Sequence, residues 1–181
     1  MIRNYADNDK AKVIEFHKRI MIEAGAYLPG PWDDDFLDIE AVYVRPGGCF
    51  VLIEDGGVIQ AMGALKILSN KDAEVKRMRV ETSLQRRGLG QKIMNHLIQH
   101  AKSKGIERVI LDTTENQIAA RHFYEKNGFV EYRRGKWNDI TMIFYEKYIS
   151  ASSPCTRRMP PGQPVSDCRR IAWVYALTRH L

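Results

Sequence analysis

Apolar residues recur at helical spacing in the segment that starts at Leu89. They repeat every three to four positions, as on the buried face of an amphipathic helix, and are Leu89, Ile93, Met94, Leu97, Ile98 and Ala101. Residues 73–80, just before this segment, are strand-like and include the β-branched Val75 and Val80. Residues 81–90 are polar and basic and contain two glycines. The pattern therefore predicts a strand over 73–80, a loop from Gln85 to Gly90 and a helix from Leu89 onward.

The rest of the chain up to residue 149 is predicted to form short strands and helices in alternation. The order β-α-α-β-β-β-α-β-α-β-β predicts an α/β (α+β) protein whose mixed, largely antiparallel central sheet has about seven strands flanked by helices. The remaining predicted elements are strand 2–5, a helix with Asp7 as its N-cap, its apolar side over 13–24 and its end at Gly25, a short acidic helix 32–39, hairpin strands 49–54 and 58–68, strand 109–111, helix 116–126, a strand from 129, a polar loop 133–138 and strand 140–148.

The composition of the chain changes at Ser150. Pro, Ser, Gly and Arg dominate the residues that follow, with no apolar period, which is typical of a linker. Residues 171–181 are apolar enough to dock on a folded surface. We therefore expect a folded domain over residues 1–149, and a Pro/Ser/Arg-rich linker with a C-terminal extension of unknown role over residues 150–181.

The composition is ordinary for a soluble globular protein. Of the 181 residues, 44% are hydrophobic and 28% charged, and no run reaches the roughly 20 apolar residues of a membrane helix. The first twelve residues contain no apolar signal core, so a cytoplasmic location without a membrane partner is expected. The three cysteines, Cys49, Cys155 and Cys168, match neither a metal site nor a disulfide framework.

Charge is unevenly distributed along the chain. The net charge is −4 over residues 1–66, +6 over residues 67–148 and +4 over residues 149–181. A basic half that holds an anionic cofactor and an acidic half that meets a cationic acceptor would give this distribution. A nucleic-acid-binding surface would explain part of it, but no module that combines aromatic and basic residues is visible.

The loop from Gln85 to Gly90 has the features of an anion site. The first amides of a helix have no partner within the helix and lie at the positive end of its dipole. Gly88 and Gly90 allow close approach to the backbone, and Arg86 and Arg87 add positive charge, so a diphosphate is the expected ligand. The sequence matches neither the P-loop nor the dinucleotide-binding fingerprint.

Two motifs resemble those of a known family. The pattern [Q/R]-x-x-G-x-[G/A], from Gln85 to Gly90, resembles the pyrophosphate-binding signature of the GNAT superfamily of N-acetyltransferases. Residues 120–129, ARHFYEKNGF, resemble its second signature, A-x-x-[FL]-Y-E-x-x-G-F. The two occur in the family's order, and the resemblance covers residues 1–149. It implies the GNAT fold, with a sheet that splays apart at the cofactor site, and acetyl-CoA as cosubstrate without a metal.

The resemblance also implies a set of cofactor-binding residues. Backbone amides of the loop residues would hold the pyrophosphate, and the backbone of the central strand would pair with the amide-rich pantetheine and offer an N–H to the thioester carbonyl. Asn116 would donate a hydrogen bond to the pantetheine, although its spacing to Tyr124 is one residue longer than the commonest pattern. The residues implied in cofactor binding are Met78, Arg79, Val80, Gln85, Arg86, Arg87, Gly88, Leu89, Gly90 and Asn116.

Two residues are candidates for proton transfer. Tyr124 is the candidate general acid, because a phenol with a pKa near ~10 keeps a proton that a thiolate of pKa ~8.5 can take. A helix tyrosine packed on the sheet is the alternative. Glu74 is the candidate base, acting through water; strand alternation would place it on one face with Lys76, Met78 and Val80. It could equally be a solvated strand-end residue or a partner of Arg77.

The expected function is transfer of an acetyl group from acetyl-CoA to a primary amine of a small molecule or peptide. The alternatives are an acyl-CoA-binding module without turnover and an RNA-directed acetyltransferase. At least two of the three aspartates Asp33, Asp34 and Asp35 are expected to cap the helix or to be solvated, with one of them facing a cationic amine as the less favoured reading. Oligomeric state is open, with a homodimer as the prior expectation.

Overall fold

The structure, a computed structural model, describes residues 1–27, 30–137 and 139–149, with Trp137 described by its backbone only. Within these ranges seven strands form one sheet in the order β1-β2-β3-β4-β5-β7-β6. All neighbouring strands are antiparallel except β4 and β5, which are parallel. The strands are β1 Ile2–Asn4, β2 Cys49–Asp55, β3 Val58–Ile67, β4 Asp72–Val80, β5 Arg108–Thr114, β6 Val130–Trp137 and β7 Ile140–Tyr148.

Three α-helices flank the sheet. They are α1 Lys10–Glu23, α2 Leu89–Ser103 and α3 Ile118–Lys126. Between α1 and β2 the chain forms a 3₁₀ turn, Pro31–Phe36, and a single π-helical turn, Glu40–Val44. The predicted fold class and order of elements are confirmed, and α2 begins at the predicted Leu89.

Each face of the sheet has its own apolar core. On one face, here called the α2 face, strand residues such as Leu65 and Val75 pack against Ile93 and Leu97 of α2 and Tyr124 of α3. On the other, the α1 face, the buried residues include Phe16 and Ile20 of α1, Phe36 of the 3₁₀ turn, and Leu52 and Met62 of the sheet. The helices thus protect both faces of the central strands, as a parallel strand pair requires.

The parallel pairing of β4 with β5 is short. It joins Asp72 to Arg108, Ala73 to Val109 and Glu74 to Ile110, and no pair is formed beyond Glu74. β5 continues against β7 as far as Thr114, whereas β4 continues against β3 as far as Val80. The two strands therefore diverge after Glu74, which creates an opening between them in the middle of the sheet.

A β-bulge in β4 overturns the predicted alternation of its side chains. Lys76 pairs with Ala64 and Arg79 with Met62, so Arg77 and Met78 together face one residue of β3, and Arg77 has φ +57°. Met78 and Val80 consequently pack with Val75 on the α2 face. The prediction that they share a face with Glu74 is wrong, because the extra residue reverses the alternation beyond Lys76.

Three further local predictions differ from the structure. Residues 133–137 continue β6 instead of forming a polar loop, because Arg134, Gly135 and Trp137 pair with β7 across a hairpin. The helix expected over 116–126 begins at Ile118. Asp7 does not cap α1, which is preceded by a 3₁₀ turn and has Asp9 at its N-cap position.

The segment 150–181 and its predicted role lie outside the described residues. Among the described residues, no helix combines the length and hydropathy that a bilayer crossing requires.

Candidate active site

The loop before α2 has the geometry of an anion-binding turn. Arg86 and Gly88 both have left-handed backbones, with φ of +62° and +82°, and Gln85 to Gly88 are exposed. The first helical hydrogen bond is donated by the N–H of Lys92 to the carbonyl of Gly88 at 3.0 Å. No side chain caps the N-terminus of α2. The first amides of α2 therefore remain available to an anion at the positive end of the helix dipole.

The two glycines of this loop have different surroundings. A Cβ at position 88 would meet no atom within 4 Å, so space does not require a glycine there. Glycine is favoured at this position only because the backbone is left-handed. A Cβ at Gly90 would lie 3.5 Å from Val80 and 3.7 Å from Phe123. The end of β4, the start of α2 and the middle of α3 thus meet at Gly90.

The backbone of β4 from Met78 to Val80 lies in the diverging part of the sheet. On the β5 side it has no strand partner, because the parallel pairing ends at Glu74. The carbonyl of Met78 accepts a hydrogen bond of 2.7 Å from Nη1 of Arg79. An exposed strand edge that leads to an uncapped helix N-terminus fits an extended, amide-rich group with phosphates at one end, which is the chemistry of coenzyme A.

Tyr124 lies at this opening. Its side chain is buried, and its ring packs near Phe123, Phe129 and Tyr145. Burial raises the pKa of Tyr124 to about 12; the charge of Arg79 opposes this rise and that of Asp112 adds to it. Its hydroxyl forms no hydrogen bond to any residue in the described part of the chain. A buried phenol of this kind keeps its proton at neutral pH and can donate it.

Glu74 is the last residue of β4 that pairs with β5. Its side chain is 18% exposed, and Oε1 lies 3.5 Å from Nζ of Lys76. Burial raises the pKa of Glu74; Lys76 lowers it and the carboxylate of Asp112 raises it further. Asp112 thus lies within electrostatic reach of both proton-transfer candidates. A carboxylate with a raised pKa can act as a base closer to neutral pH than an ordinary glutamate.

The sequence does not identify Asp112 or the side chain of Arg79 as part of the site. For Arg79 it predicts only that the backbone takes part in cofactor binding. Its side chain lies on the α1 face, opposite Met62, and burial lowers the pKa of its guanidinium. Nε of Arg79 is buried without a hydrogen-bond partner among the described residues. The signal available in the sequence was a basic run, VKRMRV, in a predicted core strand.

The aspartates of the 3₁₀ turn bind Arg77 of the bulge. Nη1 donates to Oδ1 of Asp33 at 2.7 Å, and Nε donates to Oδ2 of Asp35 at 2.8 Å. The hydroxyl of Tyr43 also donates to Asp35. The expectation that these two aspartates only cap the helix or face solvent is wrong, because no side chain caps this turn and both carboxylates neutralise a buried guanidinium.

His17 of α1 packs against the same cluster. Its Nε2 atom lies 3.3 Å from Oδ1 of Asp33, and its ring is 4.9 Å from that of Phe36. Burial and the charges of Arg79 and Arg77 lower the pKa of His17 to about 4, so the ring is neutral at pH 7. The cluster fixes the segment between α1 and β2 to the α1 face beside the opening.

Asn116 lies in the turn between β5 and α3 and is exposed. Its role toward the pantetheine stays a prediction. Within the described residues, no group of three or more His, Cys, Asp or Glu side chains is arranged to hold a metal ion.

Comparison with known proteins identifies the family of this site. The sequence profile described as "Acetyltransferase (GNAT) family" matches residues 15–129. Among curated proteins, the N-acetylaspartate synthetase of Danio rerio is 31% identical over 119 residues, which are 65% of this chain and 42% of that protein. The chain spans 35% to 42% of the length of the four curated relatives of this name that head the comparison.

Solved structures agree with this assignment. The acetyltransferase of the GNAT family from Staphylococcus aureus Mu50 has a TM-score of 0.76 at 26% identity, over 83% of this chain and 99% of that one. The putative acetyltransferase yncA from Salmonella typhimurium, solved with its cofactor acetyl-CoA, has a TM-score of 0.66 at 18% identity, over 86% and 98% of the two chains. At this identity the second likeness shows the fold alone.

Proposed function

The chain belongs to the GNAT acetyltransferase family, and from that premise we propose that it transfers an acetyl group from acetyl-CoA directly to a primary amine of a small molecule or peptide. One observation carries the proposal. The uncapped start of α2 lies beside the end of β4, whose edge has no strand partner beyond Glu74, and the buried Tyr124 of α3 lies within electrostatic reach of Arg79 on that strand and of Asp112 on β5. The first two are binding features, whereas the third is a proton donor that binding alone does not require.

Acetyl-CoA, when bound, supplies the acetyl group as an activated thioester. The amides of residues 88–90 and the side chains of Arg86 and Arg87 would hold its pyrophosphate. The strand edge from Met78 to Val80 would hold the pantetheine by backbone hydrogen bonds, and an N–H there would polarise the thioester carbonyl.

Proton transfer falls to two residues, Tyr124 and Glu74, which both lie within electrostatic reach of Asp112. Tyr124 keeps the proton of its hydroxyl at neutral pH because its pKa is raised to about 12, and it would donate this proton to the departing sulfur as negative charge develops there. Glu74 would remove a proton from the incoming ammonium, directly or through water, so that the amine attacks in its neutral form. Its raised pKa brings it nearer to the amine's value of ~10.4 and so makes this transfer less uphill.

An unbiased panel of primary amines, assayed for release of the coenzyme A thiol, tests the proposal. We expect acetyl-CoA to bind in the micromolar range and at least one amine class to release thiol in stoichiometric proportion to acetylated product. Binding of acetyl-CoA without thiol release from any amine would favour the binding module instead. Absence of both calorimetric heat and a thermal shift with acetyl-CoA would contradict both functions. The cytoplasmic location and the homodimer stay predictions from the sequence.

A further inference from the structure

Arg77 in the β4 bulge and Arg79 just after it differ sharply in their partners. Arg77 donates to Asp33, to both oxygens of Asp35 and to the carbonyl of Trp32. Arg79 has one hydrogen bond among the described residues, from Nη1 to the carbonyl of Met78, and forms no ion pair with them. Its Nε atom is buried and unpartnered. Folding has thus covered the Nε atom of a half-buried arginine without pairing its guanidinium with a described carboxylate, which is normally costly.

Arg79 lies in the part of β4 that diverges from β5. Its side chain lies on the α1 face, whereas the phosphate loop at the start of α2 belongs to the opposite layer of the fold. The carboxylates of Asp33 and Asp112 are close enough to act on the charge of the Arg79 guanidinium, and that charge in turn acts on the hydroxyl of Tyr124. An anion bound by Arg79 would therefore lie beside the proposed general acid and away from the pyrophosphate.

The charges around the opening complement a zwitterion. Glu74 and Asp112 lie on the α1 face of β4 and β5, and a positively charged amine is attracted to them. Arg79 offers a planar fork of donors, which matches the two acceptor oxygens of a carboxylate. A polyamine or aminoglycoside would instead bring further positive charge next to an unneutralised guanidinium.

We propose that the acceptor is a small molecule with a carboxylate close to its reacting amine, such as a free amino acid, and that Arg79 binds this carboxylate. The inference rests on the proposed function and specifies the substrate class of the same site. Arg79 is then a specificity-determining residue: it would orient the amine toward the thioester and reject acceptors that leave the guanidinium unpaired.

Matched acceptor pairs test the substrate class with the wild-type protein alone. Each pair consists of an L-amino acid and its α-carboxamide; aspartate and glutamate are also compared with asparagine and glutamine. Thiol release is measured at saturating acetyl-CoA. We expect at least one carboxylate to exceed its matched amide in kcat/KM by about 10²-fold or more. Equal or faster turnover of the amides, or of polyamines, would overturn the inference and leave the proposed function intact.

The variant Arg79→Gln tests the residue. It should raise KM for the preferred carboxylate by about 10²-fold and leave KM for the amide within threefold, so that the preference disappears. Arg79→Lys, which keeps the charge without the fork, should restore part of the preference. Arg45→Gln, at an exposed arginine, is the matched control. An equal fall in kcat for both members of a pair would show that Arg79 serves Tyr124 or the thioester, and would overturn the assignment.

A binding measurement separates failure of the inference from failure of the proposed function. The same acceptor pairs are titrated by calorimetry into protein saturated with coenzyme A. If no amine is turned over, the proposed function fails, yet selective binding of carboxylates that Arg79→Gln abolishes would still support the anion site. Equal or absent binding of both members of every pair would overturn the site. If Arg79→Gln does not fold, the wild-type pairs and Arg79→Lys decide.

Discussion

Nε of Arg77 donates a hydrogen bond to Oδ2 of Asp35 at 2.8 Å, and the two residues are 42 positions apart in the chain. This bond fixes the 3₁₀ turn after α1 to the bulge of the central strand. The Arg77 guanidinium lies 4.3 Å from the centre of the Phe36 ring, and its side chain is 7% exposed. Because the pair is buried, removal of one partner leaves the other charge without compensation.

Arg77→Met should therefore destabilise the protein strongly. It keeps most of the side-chain volume but leaves Asp33 and Asp35 facing each other without a cation, and we expect a loss of about 3–5 kcal/mol in the free energy of unfolding, measured in urea. Arg45→Met is the matched control, because Arg45 and its partner Asp38 are 64% and 54% exposed and such pairs contribute about 0–1 kcal/mol. Similar losses in both variants would contradict the structural role of the buried cluster.

His17 should make stability fall as the pH falls from about 6.5 to about 4. In the folded protein its pKa is lowered to about 4, chiefly by burial, from an ordinary value of 6.5. Between these values the unfolded chain binds a proton that the folded chain does not, so acid favours unfolding, by roughly 3 kcal/mol over the whole interval.

His17→Gln should flatten this part of the profile, as measured by urea unfolding at pH 4.0, 5.0, 6.0 and 7.0. His122→Gln, at an exposed histidine of α3, controls for the mere loss of a histidine. If both variants keep the wild-type slope, the buried ring is not its source.

Local sequence patterns were sufficient to predict most of the fold. The stripe from Leu89 to Ala101 and the glycines before it determine the start and buried face of α2 within one segment. The order of strands and helices then limits the sheet to few topologies. The sequence of residues 133–137 predicts a loop, because its polar residues suit a turn as well as an edge strand, and only its pairing with β7 decides between them.

The charged parts of the site could not be predicted in this way. The bulge at Arg77 depends on pairing with β3, and a single extra residue exchanges the faces of Met78 and Val80. Asp33 and Asp35 find Arg77 more than forty residues away, and sequence alone does not specify such a partner. For Arg79 the sequence is silent in the opposite way, since it does not show that a partner is missing. Only the structure shows that none of the described acidic residues forms an ion pair with Arg79.

The two glycines of the phosphate loop should respond differently to alanine. Gly88→Ala forces a Cβ onto a left-handed backbone, and we expect a loss of about 1 kcal/mol in stability together with weaker acetyl-CoA binding. Gly90→Ala places its Cβ in ordinary contact with Val80 and Phe123 and should gain about 0.5–1 kcal/mol as a helix residue. Unfolding and calorimetric titration of the pair check both. Equal tolerance at the two positions would contradict the left-handed conformation of Gly88.

Glu74→Gln tests the base. It keeps shape and polarity but cannot accept a proton, so we expect kcat/KM for the acceptor to fall by about 10²-fold near neutral pH. The wild-type rate should fall as the pH falls through the raised pKa of Glu74, and the variant should lack this limb. The difference in kcat/KM between Glu74→Gln and the wild type should shrink toward pH 10, where the amine loses its proton without a base. Glu107→Gln, at an exposed partner of Lys71, is the control. If Glu74→Gln keeps the wild-type pH profile, water rather than Glu74 removes the proton from the amine.

Tyr124→Phe separates an enzyme from a binding module. The ring is buried among Phe123, Phe129 and Tyr145, whereas the hydroxyl has no hydrogen bond to a described residue, so packing and stability should survive its removal. We expect turnover to fall by about 10²-fold, as for loss of a positioned general acid, and acetyl-CoA affinity to change by less than about threefold. Single-turnover thiol release and calorimetry measure the two quantities.

Two further variants make this result specific to proton transfer. Tyr145→Phe also removes a phenol from the same cluster, but its hydroxyl binds Glu125 at 2.9 Å, so it should affect stability more than turnover. Arg86→Ala should weaken acetyl-CoA binding and leave turnover at saturation largely intact, because a phosphate contact acts equally in the ground and transition states. If Tyr124→Phe keeps the wild-type rate when chemistry limits it, water or another group protonates the sulfur. The buried phenol would then serve packing, and the family fold would retain its acetyl transfer without it.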